Sequence, residues 1–258
     1  MKLFPRFIFS GLLLLSPFHF SQSTTVAYWN FDEDNGVQFP SNPASDSLVL
    51  QAEKPLKFPR SSDDIPNAPT GNKYSADFST GAEGLMVASQ PCLDFGKNAV
   101  FTIEFWFKPR QYVTKNVEDA RQNYSTLIMK RGSEDDSILP LPGYQIMLQQ
   151  QGLIHVRLDA GRKNETLTSK SKVPLDVWTH VAVIRDAQGT ISLYINGELE
   201  SSSSRSKFTA SIENPGPLVI GYHAQVKTNH YRFDGLIDEI RISDTALEPS
   251  QFLLNRIP

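Results

Sequence analysis

Residues Val177 to Leu199 read VWTHVAVIRDAQGTISLYINGEL, and this stretch decides the fold. A dense run of β-forming residues from Trp178 to Arg185 meets a polar break, Asp186-Ala187-Gln188-Gly189. Beyond it Ile191, Leu193 and Ile195 alternate with Thr190, Ser192 and Tyr194, which sends aliphatic and polar side chains to opposite faces of a strand. Gly189 tolerates the positive φ that a four-residue hairpin loop needs at its end. Asn196-Gly197 suits a two-residue turn in which both residues have φ above zero. The stretch is a β-meander of at least three antiparallel strands.

Outward from the meander the same period recurs. In FTIEFWFK, Phe101 to Lys108, the residues Phe101, Ile103, Phe105 and Phe107 share one face, while Thr102, Glu104 and Trp106 share the other. Pro109 ends that strand because it has no N–H to give the ladder. Thr25 to Phe31, Tyr74 to Phe78, Gly84 to Ala88, Thr126 to Lys130, Tyr144 to Gln149, Leu153 to Leu158, Leu218 to Tyr222 and Gly235 to Ser243 also read as strands, with a weaker one near Thr166 to Ser169. Residues 34 to 72 are rich in Pro, Ser, Asp and Asn and read mostly as loop. Arg110 to Ser125 has no clean period. Thr245 to Asn255 reads as a short closing helical turn with Asp244 as its N-cap. About a dozen strands and no amphipathic helix make two packed antiparallel sheets, an all-β sandwich.

The N-terminus reads as an export signal, residues 1 to 23. Lys2 and Arg6 precede an apolar run from Phe7 to Leu15, and Ser21-Gln22-Ser23 offers small residues for cleavage. The run is too short for a permanent membrane helix, and no second one follows, so no membrane span is expected after cleavage. Residues 24 to 258 are then read as one domain. Cleavage removes two of the 25 basic residues and none of the 28 acidic ones, so the net charge moves from −3 to −5. That balance argues against a nucleic-acid partner, which needs a basic face. A single cysteine, Cys92, excludes an intrachain disulfide and fits a bacterial exported protein better than a disulfide-rich animal module. The expected location is periplasmic, cell-surface or extracellular.

The order YWNFDEDNG, FTIEFWFKP, WTHVAVIRDAQGTISLYINGEL, LVIGY, FDGLIDEIRIS resembles the laminin-G-like members of the concanavalin-A-like jelly rolls, and the bacterial-type branch most. The likeness runs from Val26 to Phe252. It implies a two-sheet antiparallel jelly roll with the first and last strands adjacent. Where such relatives often carry Asp-Ser-Ser-Gly-Asn-Gly, this chain has PSNPASDSLVL, a departure from the pattern. These jelly rolls serve as carbohydrate-binding modules, glycosidases, lyases, adhesion modules and spacers, so the family does not by itself give the function.

Asp238 is the leading single residue. In GLIDEIRIS it falls on the face expected to hold Leu236, Ile240 and Ile242, and a carboxylate in an apolar row must be paired, hydrogen-bonded or metal-bound. The resemblance implies a structural Ca2+ where the last strand meets the first, with Asp32 as second contributor and carbonyls and water completing the shell. The alternative is an Asp238 that only accepts backbone N–H groups. For ligand binding the candidates are Tyr222, His223, His230, Tyr231 and Arg232, an aromatic and polar loop ahead of the last strand, and Trp106 as a sugar-stacking platform. Against these stand a loop that merely covers a sheet edge and a second apolar layer around Trp106. His180, beside Trp178, reads as a half-buried structural residue. A glycosidase needs two carboxylates about 5–10 Å apart, and no run of alternating acids offers them: Glu104 stands alone, and Asp238 and Glu239 are sequential. The expected function is a non-catalytic module that binds glycan or another surface polymer. A protein-contacting adhesion domain and a divergent polysaccharide hydrolase or lyase remain alternatives, and the oligomeric state is open.

Overall fold

The structure, a computed structural model, describes residues 25–32, 38–42, 47–52, 58–68, 71–79, 84–112, 123–132, 141–203, 207–223 and 232–254. Residues 1 to 23, expected to be an export signal, and His230 and Tyr231 lie outside them. In chain order the strands are β1 (Thr25–Trp29), β2 (Gln38–Pro40), β3 (Val49–Ala52), β4 (Arg60–Ser61), β5 (Ser75–Phe78) and β6 (Leu85–Val87). There follow β7 (Phe101–Pro109), β8 (Tyr124–Arg131), β9 (Gly143–Gln149), β10 (Ile154–Ala160) and β11 (Lys163–Thr168). The last are β12 (Thr179–Arg185), β13 (Ile191–Ile195), β14 (Glu198–Ser202), β15 (Leu218–Ile220) and β16 (Gly235–Ser243).

They form two eight-stranded antiparallel sheets. The first has the order β14-β13-β12-β7-β16-β5-β4, with β1 also paired to β16; the second runs β11-β10-β9-β8-β15-β6-β3-β2. This is the two-sheet antiparallel sandwich expected, with first and last strands adjacent. The meander is β12, β13 and β14. Val181 lies opposite Ile195 and Arg185 opposite Ile191, and Gly189, Asn196 and Gly197 have φ of 78°, 51° and 83°. Between the sheets Trp29, Phe101, Phe105, Phe107, Val181 and Leu193 join Ile146, Val156, Leu218 and Ile220 in one apolar core. Burial of such faces is the main favourable term in folding.

The sequence reading differs from the structure at two places on the first sheet. Both faces of β7 are buried, not one. Residues 244–254 cross its outward side: the Leu247 amide donates to the Thr102 hydroxyl, the Leu253 amide to the Glu104 carboxylate, and the Trp106 indole to the Leu253 carbonyl. Phe252 and Leu247 add an apolar layer with Ala182 and Ile184. The expected helix from Thr245 to Asn255 reduces to a 3-10 turn at Pro249–Gln251, capped by Glu248 and not by Asp244; Asn255 lies outside the described residues.

The second difference is the face assigned to Asp238. Asp238 pairs with Trp106, but the next pair is Arg241 with Glu104, so β16 carries one extra residue at this point. Glu239 absorbs it at φ 53°. This β-bulge shifts the alternation. Ile237, Ile240 and Ile242 face the core, while Leu236 and Asp238 do not belong to that cluster. An unbroken period of two is why the sequence reading set Asp238 in the row with Ile240.

Arg185 closes the core at the end of β12. Its guanidinium is buried, donates to the carbonyls of Gly96, Ala99 and Ala210, and lies 5.1 Å from the Phe101 ring centre. Burial pushes its pKa down to about 10.

Candidate functional site

The bulge sits where β16 changes partner. Residues 235–237 pair with β5 and residues 240–243 with β1, so Asp238 and Glu239 stand at a fork between these two strands. Asp32, just after β1, and Asn72, just before β5, are brought to the same point. The Asn72 amide and the Glu239 backbone N–H donate to Asp238. Asp32 accepts the backbone N–H groups of Lys73 and Tyr74 at 2.7 and 3.0 Å. Tyr28 donates its hydroxyl to Glu239. Phe31 and Glu239 both hold left-handed φ, 56° and 53°, a conformation that costs non-glycine residues energy.

The electrostatics of the fork are unbalanced. Asp238 is fully buried, and burial raises its pKa well above the usual carboxylate range. The Asn72 and Glu239 hydrogen bonds oppose that rise, while the charges of Glu239 and Asp32 add to it. The Oδ1 of Asn72 is buried with no hydrogen-bond partner. The Arg60 guanidinium donates to the Phe31 and Asp32 carbonyls close by, and carboxylate and amide oxygens are the donor set of a hard cation such as Ca2+. No group of three or more His, Cys, Asp or Glu side chains among the described residues is arranged to hold a metal. A cation at the fork would therefore need Asn72 and backbone oxygens beside Asp32 and Asp238.

The described loop candidates, Tyr222, His223 and Arg232, lie elsewhere, on the outward face of the second sheet. Tyr222 packs with Met129, Val219 and Met86. Its ring fills the space over Gly84, where a Cβ would meet it at 1.8 Å. The Arg232 guanidinium lies 5.8 Å from the Tyr222 ring centre. Burial, together with the charge of Arg131, lowers the His223 pKa to about 4, so this imidazole is neutral at physiological pH. Trp106 is not part of this group. It lies on the first sheet, 8% exposed, under the C-terminal segment and against His180 at 5.4 Å. The second apolar layer is its environment, because residues 244–254 cover the face that alternation alone leaves open.

His180 is more buried than expected, at 0% exposure. Its Nε2 is 2.8 Å from Glu104, whose other oxygen accepts the Arg241 Nε at 2.6 Å. Burial raises the Glu104 pKa, but the His180 contact, the Arg241 charge and the Leu253 N–H outweigh it and hold the carboxyl below its ordinary value.

The sequence reading passed over the polar side chains that share the outward face with Tyr222. The ladders of β8 to β11 align Thr126, Met147, His155 and Thr168 in one row and Met129, Gln145, Arg157 and Thr166 in the next. A third row holds Arg131, Gly143, Asp159 and Asn164. Arg157 grips Asp159 with two hydrogen bonds of 2.7 and 2.9 Å, and Arg131 reaches the same carboxylate at 3.6 Å across Gly143. The alternation in YQIML and HVRLD carries the signal for this face.

No curated protein sequence matches the chain. Among solved structures, the binding domain of Paraclostridial Mosquitocidal Protein 1 is similar with a TM-score of 0.61 at 15% identity, covering 88% of this chain and 50% of that one. Domain 4 of AbnA, an extracellular arabinanase from Geobacillus stearothermophilus solved with arabinotriose, gives 0.58 at 20%, covering 89% and 96%. The botulinum neurotoxin serotype D ligand-binding domain solved with N-acetylneuraminic acid gives 0.57 at 18%, covering 88% and 48%. The chain thus spans about half the length of the two toxin domains. At these identities the likeness shows the fold. A laminin-G-type family profile matches residues 80–251, more than half of the sequence. The chain belongs to the concanavalin A-like lectin/glucanases superfamily.

Proposed function

We propose that this chain is an exported, non-catalytic module that binds a glycan or another surface polymer, with a structural Ca2+ at the Asp32–Asp238 fork. The observation that carries the reading is the surface around Tyr222. The Tyr222 ring is buried against Met129, Val219 and Met86, and the half-buried Arg232 and His223 beside it offer hydrogen-bonding groups at the surface, of the kind that orient a sugar. Glycosidase chemistry would need one carboxylic acid and one carboxylate across a bond. Asp159 on this face is gripped by Arg157, and Glu104 is spent on Arg241, His180 and the Leu253 amide. Two similar folds were solved with arabinotriose and N-acetylneuraminic acid, which supports a sugar ligand. Export follows from residues 1 to 23, with the basic head and apolar run of a cleaved signal.

A second reading, a protein-contacting adhesion domain, draws on the exposed apolar residues Leu175, Val177 and Leu199. A glycan array probed with the mature chain, with and without a chelator, separates the two. Binding to at least one polysaccharide is expected, weakened by the chelator. Failure to bind any polysaccharide in the presence of calcium would overturn the first reading in favour of the second.

A further inference from the structure

Trp178 is the half-buried one of three tryptophans; Trp29 and Trp106 are 0% and 8% exposed. It stands just before β12 and beside Lys108, because Thr179 lies opposite Phe107. Its ring is held at one end. The indole N–H donates to Asp64 Oδ1 at 2.9 Å, and the Lys108 ammonium donates to Asp64 Oδ2 at 2.6 Å. The Asp64 backbone is tied in turn, since its carbonyl accepts the Ser75 hydroxyl. Leu175 and Val177, 39% and 48% exposed, lead into the ring. Between them Asp176 holds a left-handed φ of 56°, with its N–H on the Pro109 carbonyl. Such a φ costs a non-glycine residue energy, and residues of this kind cluster at ligand sites. An aromatic ring fixed before its ligand arrives loses little freedom on binding.

The polar groups at the edge of the indole have bonding capacity left. Each carboxylate oxygen has two acceptor positions and an ammonium has three donors; one is used at each Asp64 oxygen and one at Lys108. The Asp64 side chain is 38% exposed and that of Lys108 19%, so a ligand reaches both. Charge narrows the class of ligand. Lys108 is paired with Asp64, and Arg110, close enough to feel the Asp64 charge, is gripped by Asp77 at 2.6 and 3.0 Å. A polyanion finds both of these cations already matched by carboxylates.

We propose that Trp178, with Asp64 and Lys108 at its edge and Leu175 and Val177 beside it, is a second sugar-binding platform, at the rim of the first sheet where β12 begins, and that it takes an uncharged sugar ring. The proposal rests on the glycan-binding reading and adds to the Tyr222 surface a separate place with its own ligand class. A sugar ring carries C–H groups on its face and hydroxyls round its edge. The face stacks on the indole, while hydroxyls donate to Asp64 and accept from Lys108.

Acrylamide quenching of fluorescence reads this ring alone, since the other two tryptophans are buried. One of three neutral polysaccharides (dextran, arabinan, galactan) should bind the wild-type chain, shield Trp178 from acrylamide at saturation, and keep its affinity in added salt. Trp178→Ala should weaken that binding about 10- to 100-fold. Trp178→Phe, which keeps a ring without the N–H, should restore most of it. Shielding in the wild type needs no variant, so it decides the matter even where alanine unfolds the chain. A wild-type ring that stays quenchable at saturation overturns the platform, as does full binding by Trp178→Ala; either result leaves the Tyr222 surface as the site. Binding confined to acidic polymers (polygalacturonate, alginate) overturns the ligand class. Binding to none of the five overturns the glycan reading, and the platform with it, in favour of a protein partner at Leu175 and Val177.

Discussion

Glu104→Ala is expected to lower the unfolding free energy by about 3–5 kcal/mol, the usual cost of breaking a buried ion pair by removing one partner. Three groups lose their bond at once, the Arg241 Nε, the His180 imidazole and the Leu253 amide, and Leu253 is also the residue whose carbonyl accepts the Trp106 indole. His180 has no other partner to turn to, since its Nδ1 is already buried without one. The C-terminal segment should then detach before the sandwich unfolds, and limited proteolysis should cut it earlier. Urea denaturation measures the loss, which is a large part of the about 5–15 kcal/mol that holds a domain together. Because the Glu104 pKa is lowered on folding, its contribution is present above the unfolded carboxylate pKa and is lost as pH falls through the folded value. The variant should therefore lose part of the wild-type acid sensitivity. A cost under about 1 kcal/mol, as for a surface pair, would show that the cluster does not hold the segment.

Removing calcium from the wild-type chain should lower its melting temperature, and Asp238→Asn should abolish that response. A ligand held at a hundred times its dissociation constant contributes about 2.7 kcal/mol, or roughly 5–10 °C for a domain of this size. The sign at Asp238 is opposite to that at Glu104. Its pKa is raised on folding, so without a cation its contribution is fully present only below the unfolded pKa and is lost as pH rises through the folded value. At neutral pH in chelator the buried carboxylate is a liability, and Asp238→Asn should melt at or above wild type. With calcium the order reverses. Identical wild-type curves with calcium and with chelator would refute a metal at the fork.

The meander and the core row of β7 were legible because a period of two over five or more residues leaves one arrangement for the side chains. The nearness of Asp32 to Asp238 was legible only through the resemblance, which implies adjacent first and last strands. What escaped has identifiable causes. The bulge at Glu239 is a single-residue insertion with no glycine to mark it, and it transfers Asp238 to the other face of β16. The burial of Trp106 depends on residues more than a hundred positions later folding back across it, a contact that local pattern cannot carry. The burial of Gln145 and Thr126 escaped as well, since polar residues alternating with Ile146, Leu148, Val156 and Leu158 are what a solvated side of a sheet also produces.

The most direct measurement uses the methionines. Met86, Met129 and Met147 place three methyl probes on the outward face of the second sheet, and Met1 falls within the segment expected to be cleaved. Methyl-13C-methionine NMR of the mature chain, titrated with a fragment of the polysaccharide that the glycan array selects, should shift the Met86 and Met129 signals beside Tyr222 in step with the binding isotherm. Saturable binding that leaves all three methyl signals in place would contradict a glycan site on this face.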